Sequence, residues 1–196
     1  MFIKRWKKEI LTIPNLLSLF RLALIPVYIS VYLNAKNTIQ YFTAGSILTV
    51  SCLTDAIDGK IARRFNMVST LGKILDPLAD KITQLVLTLC LSLKYPILYP
   101  VLILFLVKES FQLGMGIYYF RKGKMLSGAL IPGKISTTVL FISLTAMVFF
   151  PDLGKSDVFF ITIINGFFLM FSFVSYILIY LKNPEAVRDI HPDVPE

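Results

Sequence analysis

Six stretches of this chain are long and apolar enough to be read as helices crossing a bilayer, which takes roughly 20 predominantly apolar residues each. They fall near residues 14–34, 39–62, 74–94, 97–120, 128–150 and 157–181, and short polar breaks separate them rather than turn-rich alternating segments of strand type. Hydrophobic side chains make up 56% of the 196 residues and charged ones only 16%. A soluble domain of this size has no interior large enough to hide so much apolar surface. The pattern predicts an all-α, polytopic membrane protein with six transmembrane helices.

The opening MFIKRWKKEI sets Phe2, Ile3, Trp6 and Ile10 among Lys4, Arg5, Lys7 and Lys8. A signal peptide would run on into an apolar core and a small-residue cleavage site, whereas here Pro14 and Asn15 introduce a long span. Residues 1–12 are therefore expected to form a short amphipathic helix in the interface, its cations among anionic headgroups. Residues 13–182 are expected to form one six-helix domain and residues 183–196 a cytoplasmic tail, since neither a repeat nor a long linker divides the chain.

Lys and Arg collect at the N-terminus, in the 60–73 and 121–134 connections and in the C-terminal tail, while the opposite turns hold only Lys36, Lys94 and Lys155. By the positive-inside rule both termini should be cytoplasmic. The net charge of +8 then belongs to a membrane surface, and no nucleic-acid partner is expected, because no basic and aromatic patch stands apart from the spans. Cys52 and Cys90 lie within apolar segments as small packing residues. The only histidine, His191, lies in a proline-spotted tail, so a histidine-dependent mechanism is not expected.

Against this apolar background LTDAIDGKIARRFNMVSTLGKILDPLADK, residues 53–81, carries Asp55, Asp58, Asp76 and Asp80. On helices, Asp55 and Asp58 are i and i+3, Asp76 and Asp80 i and i+4, so each pair shares a face. The residues between the pairs are enough for a helix end and a turn back, which would bring all four carboxylates to the cytoplasmic surface. Four anions at partial depth repel one another and resist desolvation. Hard divalent cations such as Mg²⁺ answer that problem with oxygen-only coordination, and two ions sharing bridging carboxylates suit the count. Gly59, Ala62 and Gly72 allow a bulky ligand to approach the backbone, or else allow close helix packing. With two metals, a nucleotide pyrophosphate is a suitable occupant. Two other readings stay open: helix-terminal aspartates facing water, with Asp76 before Pro77 as an N-terminal cap, and a divalent-cation transporter.

The spacing D-x2-D-G-x2-A-R-x8-G-x3-D-x3-D is met at Asp55, Asp58, Gly59, Ala62, Arg63, Gly72, Asp76 and Asp80. In this the chain resembles the CDP-alcohol phosphatidyltransferases, and the likeness extends to the six-helix layout and the PNLLSLFR opening. The resemblance implies a membrane enzyme, a homodimer, that joins a CDP-linked lipid or alcohol to an acceptor hydroxyl and releases CMP. Asp55, Asp58 and Asp76 would be metal ligands for Mg²⁺ or Mn²⁺, with Asp80 ligating the second ion and acting as general base. Gly59, Ala62, Arg63 and Gly72 would line the CDP site.

Residues 13–21, IPNLLSLFR, together with LDPLADK at 75–81 and GALIPGKIST at 128–137, resemble most the members that transfer the phosphatidyl group of CDP-diacylglycerol to glycerol 3-phosphate and release CMP. A dianionic acceptor calls for several cations, and Arg21, Lys81, Lys108 and Lys134 are the candidates, each equally readable as an interfacial or positive-inside cation. Lys108-Glu109 and Ser136-Thr137 stand where those members have Arg-Glu and Lys-Thr, so cardiolipin synthases, with phosphatidylglycerol as acceptor, are the nearest rivals. Acceptors such as inositol phosphate or serine are more distant ones. Glu109, a carboxylate within an apolar run, is expected to meet a substrate or a basic residue such as Arg21.

Overall fold

The computed structural model describes the backbone of residues 13–64, 72–122, 124–126, 130–182 and 187–189, and the side chains of residues 15–54, 75–122 and 130–181. Six α-helices succeed one another: α1 (Ile13–Leu33), α2 (Thr38–Arg64), α3 (Gly72–Lys94), α4 (Tyr99–Arg121), α5 (Ile131–Phe149) and α6 (Lys155–Lys182). A 3-10 turn, Pro96–Leu98, leads into α4. Helix is the form in which a chain within lipid satisfies its own backbone. Hydroxyls in these helices are satisfied likewise: Thr43, Ser46 and Thr49 of α2, and Thr88 and Ser92 of α3, each donate to the carbonyl one turn earlier, at 2.7–3.0 Å.

The expectation of six membrane-spanning helices is overturned. Among the described residues only four helices are long and apolar enough to cross a membrane: Asn15–Leu33, Pro96–Arg121, Ile131–Phe149 and Lys155–Leu181. The two helices outside that set, α2 and α3, are the two that carry the charges of the aspartate segment. The last ten residues of α2, 55–64, include Asp55, Asp58, Lys60, Arg63 and Arg64, and the first ten of α3, 72–81, include Lys73, Asp76, Asp80 and Lys81. Each ionised group costs several kcal/mol at hydrocarbon depth, on the order of 3 by insertion scales. The chain is thus a polytopic, helical membrane protein of six helices, four of them of spanning character. The interfacial helix expected over residues 1–12 lies outside the described residues.

Two three-residue strands add an element the apolar pattern does not announce. β1 (Lys124–Leu126) and β2 (Val187–Asp189) pair antiparallel, Lys124 opposite Asp189, Met125 opposite Arg188 and Leu126 opposite Val187. The second of them falls in the stretch expected to be tail.

The chain divides into two compact units. The first holds residues up to Lys94 with Leu144–Leu153. Here α1 packs against both α2 and α3, around Tyr28, Ala44, Leu48, Ala79, Leu87 and Leu91, all buried. Gly45 of α2 admits the ring of Phe149: a Cβ there would lie 2.7 Å from it. At the far end of α3, Lys94 Nζ donates to the Pro151 carbonyl at 3.1 Å and stands 3.8 Å from the centroid of the Tyr41 ring.

The second unit, Tyr95–Ser143 with Gly154 onward, packs α4 against α6. Tyr176 and Tyr180 form its buried cluster with Phe111, Met115, Tyr119 and Leu130 against them. Tyr119 stacks on Tyr180 and donates its hydroxyl proton to the Tyr180 carbonyl at 2.8 Å. Phe160, Phe167 and Phe171 of α6 are largely exposed. Such a face is unsuited to water and suited to acyl chains.

Candidate active site

The PNLLSLFR stretch places a polar residue at every third position of α1: Asn15, Ser18 and Arg21. All three are at most 2% exposed, whereas Leu16, Leu19 and Phe20 between them are exposed. In a soluble helix the polarity would be reversed. A spanning helix can turn its apolar residues to lipid and its polar ones to the protein interior, where partners wait.

For Ser18 and Arg21 there are partners on α3. Ser18 Oγ donates to Asp76 Oδ1, and Arg21 Nη1 donates to Asp80 Oδ1 in an ion pair. The two donors are three positions apart and the two carboxylates four, both close to one helical turn, so two adjacent helices can match donor to acceptor twice in register. Asp80 is 46% exposed, while the guanidinium that holds it is buried. The cation is therefore anchored inside the unit and the carboxylate stands at its edge. A buried guanidinium is costly without such a partner.

This arrangement removes the capping role considered for Asp76. α3 begins at Gly72, so Asp76 and Pro77 lie inside it and Asp76 is no N-terminal cap. Its Oδ1 instead receives the Ser18 hydroxyl.

Asp55 and Asp58, with Gly59, Ala62 and Arg63 after them, occupy the final turns of α2, and Gly72 is the first residue of α3. Residues three apart in one continuous helix share a face, which keeps Asp55 with Asp58. Their side chains lie outside the described ones. Among the described residues no group of three or more His, Cys, Asp or Glu is placed to hold a metal. Asp76 and Asp80, one turn apart and both carboxylates, are the kind of donor that Mg²⁺ or Mn²⁺ takes, and in that respect the residues present fit such an ion.

The four candidate acceptor cations divide between the units. Arg21 and the half-buried Lys81 belong to the first, with Asp76 and Asp80, and Lys108 and Lys134 to the second. Lys108 is almost wholly buried, its Nζ 2.7 Å from Glu109 Oε1 and 5.9 Å from the centroid of the Tyr176 ring. Glu109, for which the sequence suggested Arg21, thus has Lys108 beside it, and Arg21 is paired with Asp80. Lys134 is exposed on α5. One residue before it, Gly133 takes the Ser136 hydroxyl on its carbonyl at 3.0 Å.

Sequence reasoning passed over Ser18 and Asn15. The signal for them was present in the period: three polar residues three apart, in a run otherwise apolar, mark a helix face turned away from lipid.

Residues 11–181, a range containing all eight motif positions, match the model of the family described as CDP-alcohol phosphatidyltransferase. The chain belongs to that family. It is therefore an enzyme, integral to the membrane, that moves a phosphatidyl group from a CDP-linked donor to an acceptor. Cation transport, which the carboxylates alone left open, has no support from this match. The CMP-forming cardiolipin synthase of Streptomyces coelicolor is 34% identical over 151 residues, covering 76% of this chain and 67% of that protein. The CDP-diacylglycerol--glycerol-3-phosphate 3-phosphatidyltransferase of Bacillus subtilis is 24% identical over 176 residues, 79% of this chain and 91% of that protein. The Escherichia coli K12 enzyme of the same description is 44% identical, but over 70 residues, 36% of this chain and 38% of that one. Relatives of two activities thus flank this phosphatidyltransferase.

Proposed function

We propose that this phosphatidyltransferase takes CDP-diacylglycerol as donor and phosphatidylglycerol as acceptor, forming cardiolipin and releasing CMP. The observation that carries the reading is charge pairing. Of the four cations available to an acceptor, the two that are deeply buried, Arg21 and Lys108, each have a carboxylate against them, Asp80 and Glu109. A cation so paired presents little net charge to a dianion such as glycerol 3-phosphate. Phosphatidylglycerol carries one charge, on a phosphodiester, and is already in the bilayer. The similarity to the Streptomyces coelicolor enzyme supports the same acceptor. Glycerol 3-phosphate is the second reading, favoured by the Bacillus subtilis relative, which the chain spans over 91% of its length, and by the IPNLLSLFR and LDPLADK stretches.

In this reading Asp80 takes the proton of the acceptor hydroxyl as its oxygen bonds to the phosphorus bearing the diacylglycerol. The bond from that phosphorus to the oxygen of CMP breaks, and CMP leaves with the electron pair. Asp55, Asp58, Asp76 and Asp80 would hold two Mg²⁺ or Mn²⁺ ions, which supply Lewis acidity at the phosphoryl oxygens. Gly59 and Gly72, lacking side chains, and Ala62 with a small one, leave room for the cytidine diphosphate. Arg63 offers it a cation. No covalent enzyme intermediate is needed. The distribution of Lys and Arg supports a site and termini facing the cytoplasm, and a homodimer belongs to the same proposal.

The test is an acceptor screen with the purified protein in liposomes containing CDP-diacylglycerol and Mg²⁺ or Mn²⁺. CMP release on adding phosphatidylglycerol, with cardiolipin as lipid product, is the expected result. Release with glycerol 3-phosphate alone replaces the acceptor by the second reading, and release with neither rejects both.

A further inference from the structure

We infer that Ser18 and Arg21 are positioning residues of the active site: they hold Asp76 and Asp80 in place, and Arg21 is not an acceptor ligand. This rests on the proposal that Asp76 and Asp80 serve the metal and the proton transfer. The two contacts join helices that are not consecutive in sequence, since α2 lies between α1 and α3. Both advance in the same sense along the two helices, from Ser18 with Asp76 to Arg21 with Asp80. That is the order required of two parallel helices flanking an antiparallel one. A single contact fixes a point, whereas two contacts a turn apart fix rotation and translation of α3 against α1.

The chemistry of the two donors differs as the two roles demand. A serine hydroxyl orients a carboxylate without adding a positive charge, so Asp76 keeps its full attraction for a cation. Arg21 adds charge as well as direction, and it does so from a buried stem. A guanidinium at 2% exposure, committed to Asp80, is poorly placed to follow a mobile lipid headgroup. Groups that orient metal-ligating side chains typically change affinity or activity by about 10- to 100-fold when removed.

The experiment uses the full chain in detergent, with Asp76→Asn and Asp80→Asn in parallel. Binding of Mn²⁺ alone is followed by the paramagnetic resonance of the free ion. Ser18→Ala should weaken it about tenfold, and Ser18→Thr, which keeps the hydroxyl, should restore most of it. In steady-state assays Arg21→Gln should lower kcat at least about tenfold with the acceptor KM within about twofold, Arg21→Lys recovering part of the loss. A raised acceptor KM at unchanged kcat makes Arg21 an acceptor ligand and overturns the inference, as do unchanged Mn²⁺ affinity in Ser18→Ala and unchanged kinetics in Arg21→Gln. If Ser18→Ala or Arg21→Gln does not purify as a folded protein, Ser18→Cys and Arg21→Met take their places, and the same changes in affinity and kinetics support or overturn the inference. Should Asp76→Asn and Asp80→Asn both retain Mn²⁺ binding and turnover, the underlying site assignment falls. If only the aspartate variants fail, the site stands and the positioning role falls.

Discussion

Gly133 of α5 lies so close to Tyr176 of α6 that a Cβ built on it would sit 2.6 Å from the tyrosine hydroxyl and 2.9 Å from the ring. Tyr176 is 3% exposed and its hydroxyl accepts the Leu130 N–H at 3.3 Å, so the ring has little room to withdraw. Gly133→Ala should therefore lower stability by about 1–3 kcal/mol, the usual cost of overfilling a packed site. Tyr176→Phe in the same background should recover only part, because the ring edge still collides. Thermal unfolding in detergent, with the double variant compared to the sum of the singles, checks both statements.

Ser143 and Asn165 exchange hydrogen bonds between α5 and α6 within the second unit, at 3.0 and 2.8 Å, and Asn165 also donates to the Ile161 carbonyl at 2.8 Å. Between helices in lipid such a pair contributes about 0.6 kcal/mol on average and up to about 1.7. A double-mutant cycle of Ser143→Ala and Asn165→Leu should give a coupling in the upper part of that range, since Asn165 is buried. A coupling of zero would mean that the polar pair is replaceable by packing alone.

The helices were legible because lipid enforces one rule, a long apolar run, and their ends follow where the runs end. What the rule misjudged is α2 and α3. Each joins an apolar stretch to a charged one, and counting the whole as a span ignores Asp55, Asp58, Asp76 and Asp80 at the moment they matter most. The aspartates themselves were readable from spacing, being fixed by local helix geometry. Their partners Ser18 and Arg21, about sixty residues away, were not, because spacing within a segment says nothing of which face meets which. The strand Val187–Asp189 was equally hidden, three residues being too few to display a period.

Lys94 closes the end of α3 away from the aspartates, donating to the Pro151 carbonyl and lying over Tyr41. Removing it deletes a charge-assisted hydrogen bond and a cation–π contact together. Lys94→Met should cost about 1–3 kcal/mol, and Lys94→Arg, which retains both kinds of contact, distinctly less. Because Asp76 and Asp80 lie toward the other end of α3, Mn²⁺ affinity at permissive temperature should stay as in the parent. Weakened Mn²⁺ binding would instead show that this end of the helix controls the carboxylates.

On the proposed reading Lys108, paired with Glu109, presents little net positive charge to an acceptor. Taking away Lys108 alone leaves the Glu109 carboxylate, 21% exposed, without the ammonium now 2.7 Å from it. Lys108→Met should therefore destabilise the protein by about 3 kcal/mol, the lower end of the range for breaking a largely buried pair. Replacing both, as Lys108→Met with Glu109→Gln, removes the unbalanced charge and should regain most of that loss. If the pair is neutral scaffolding, the double variant should keep its KM for phosphatidylglycerol within about threefold, less than 1 kcal/mol of binding. A rise of about a hundredfold, near 2.7 kcal/mol, would mean that Lys108 spends its charge on the acceptor. The weak net field argued from its partner would then be the wrong ground for preferring a monoanionic lipid over glycerol 3-phosphate.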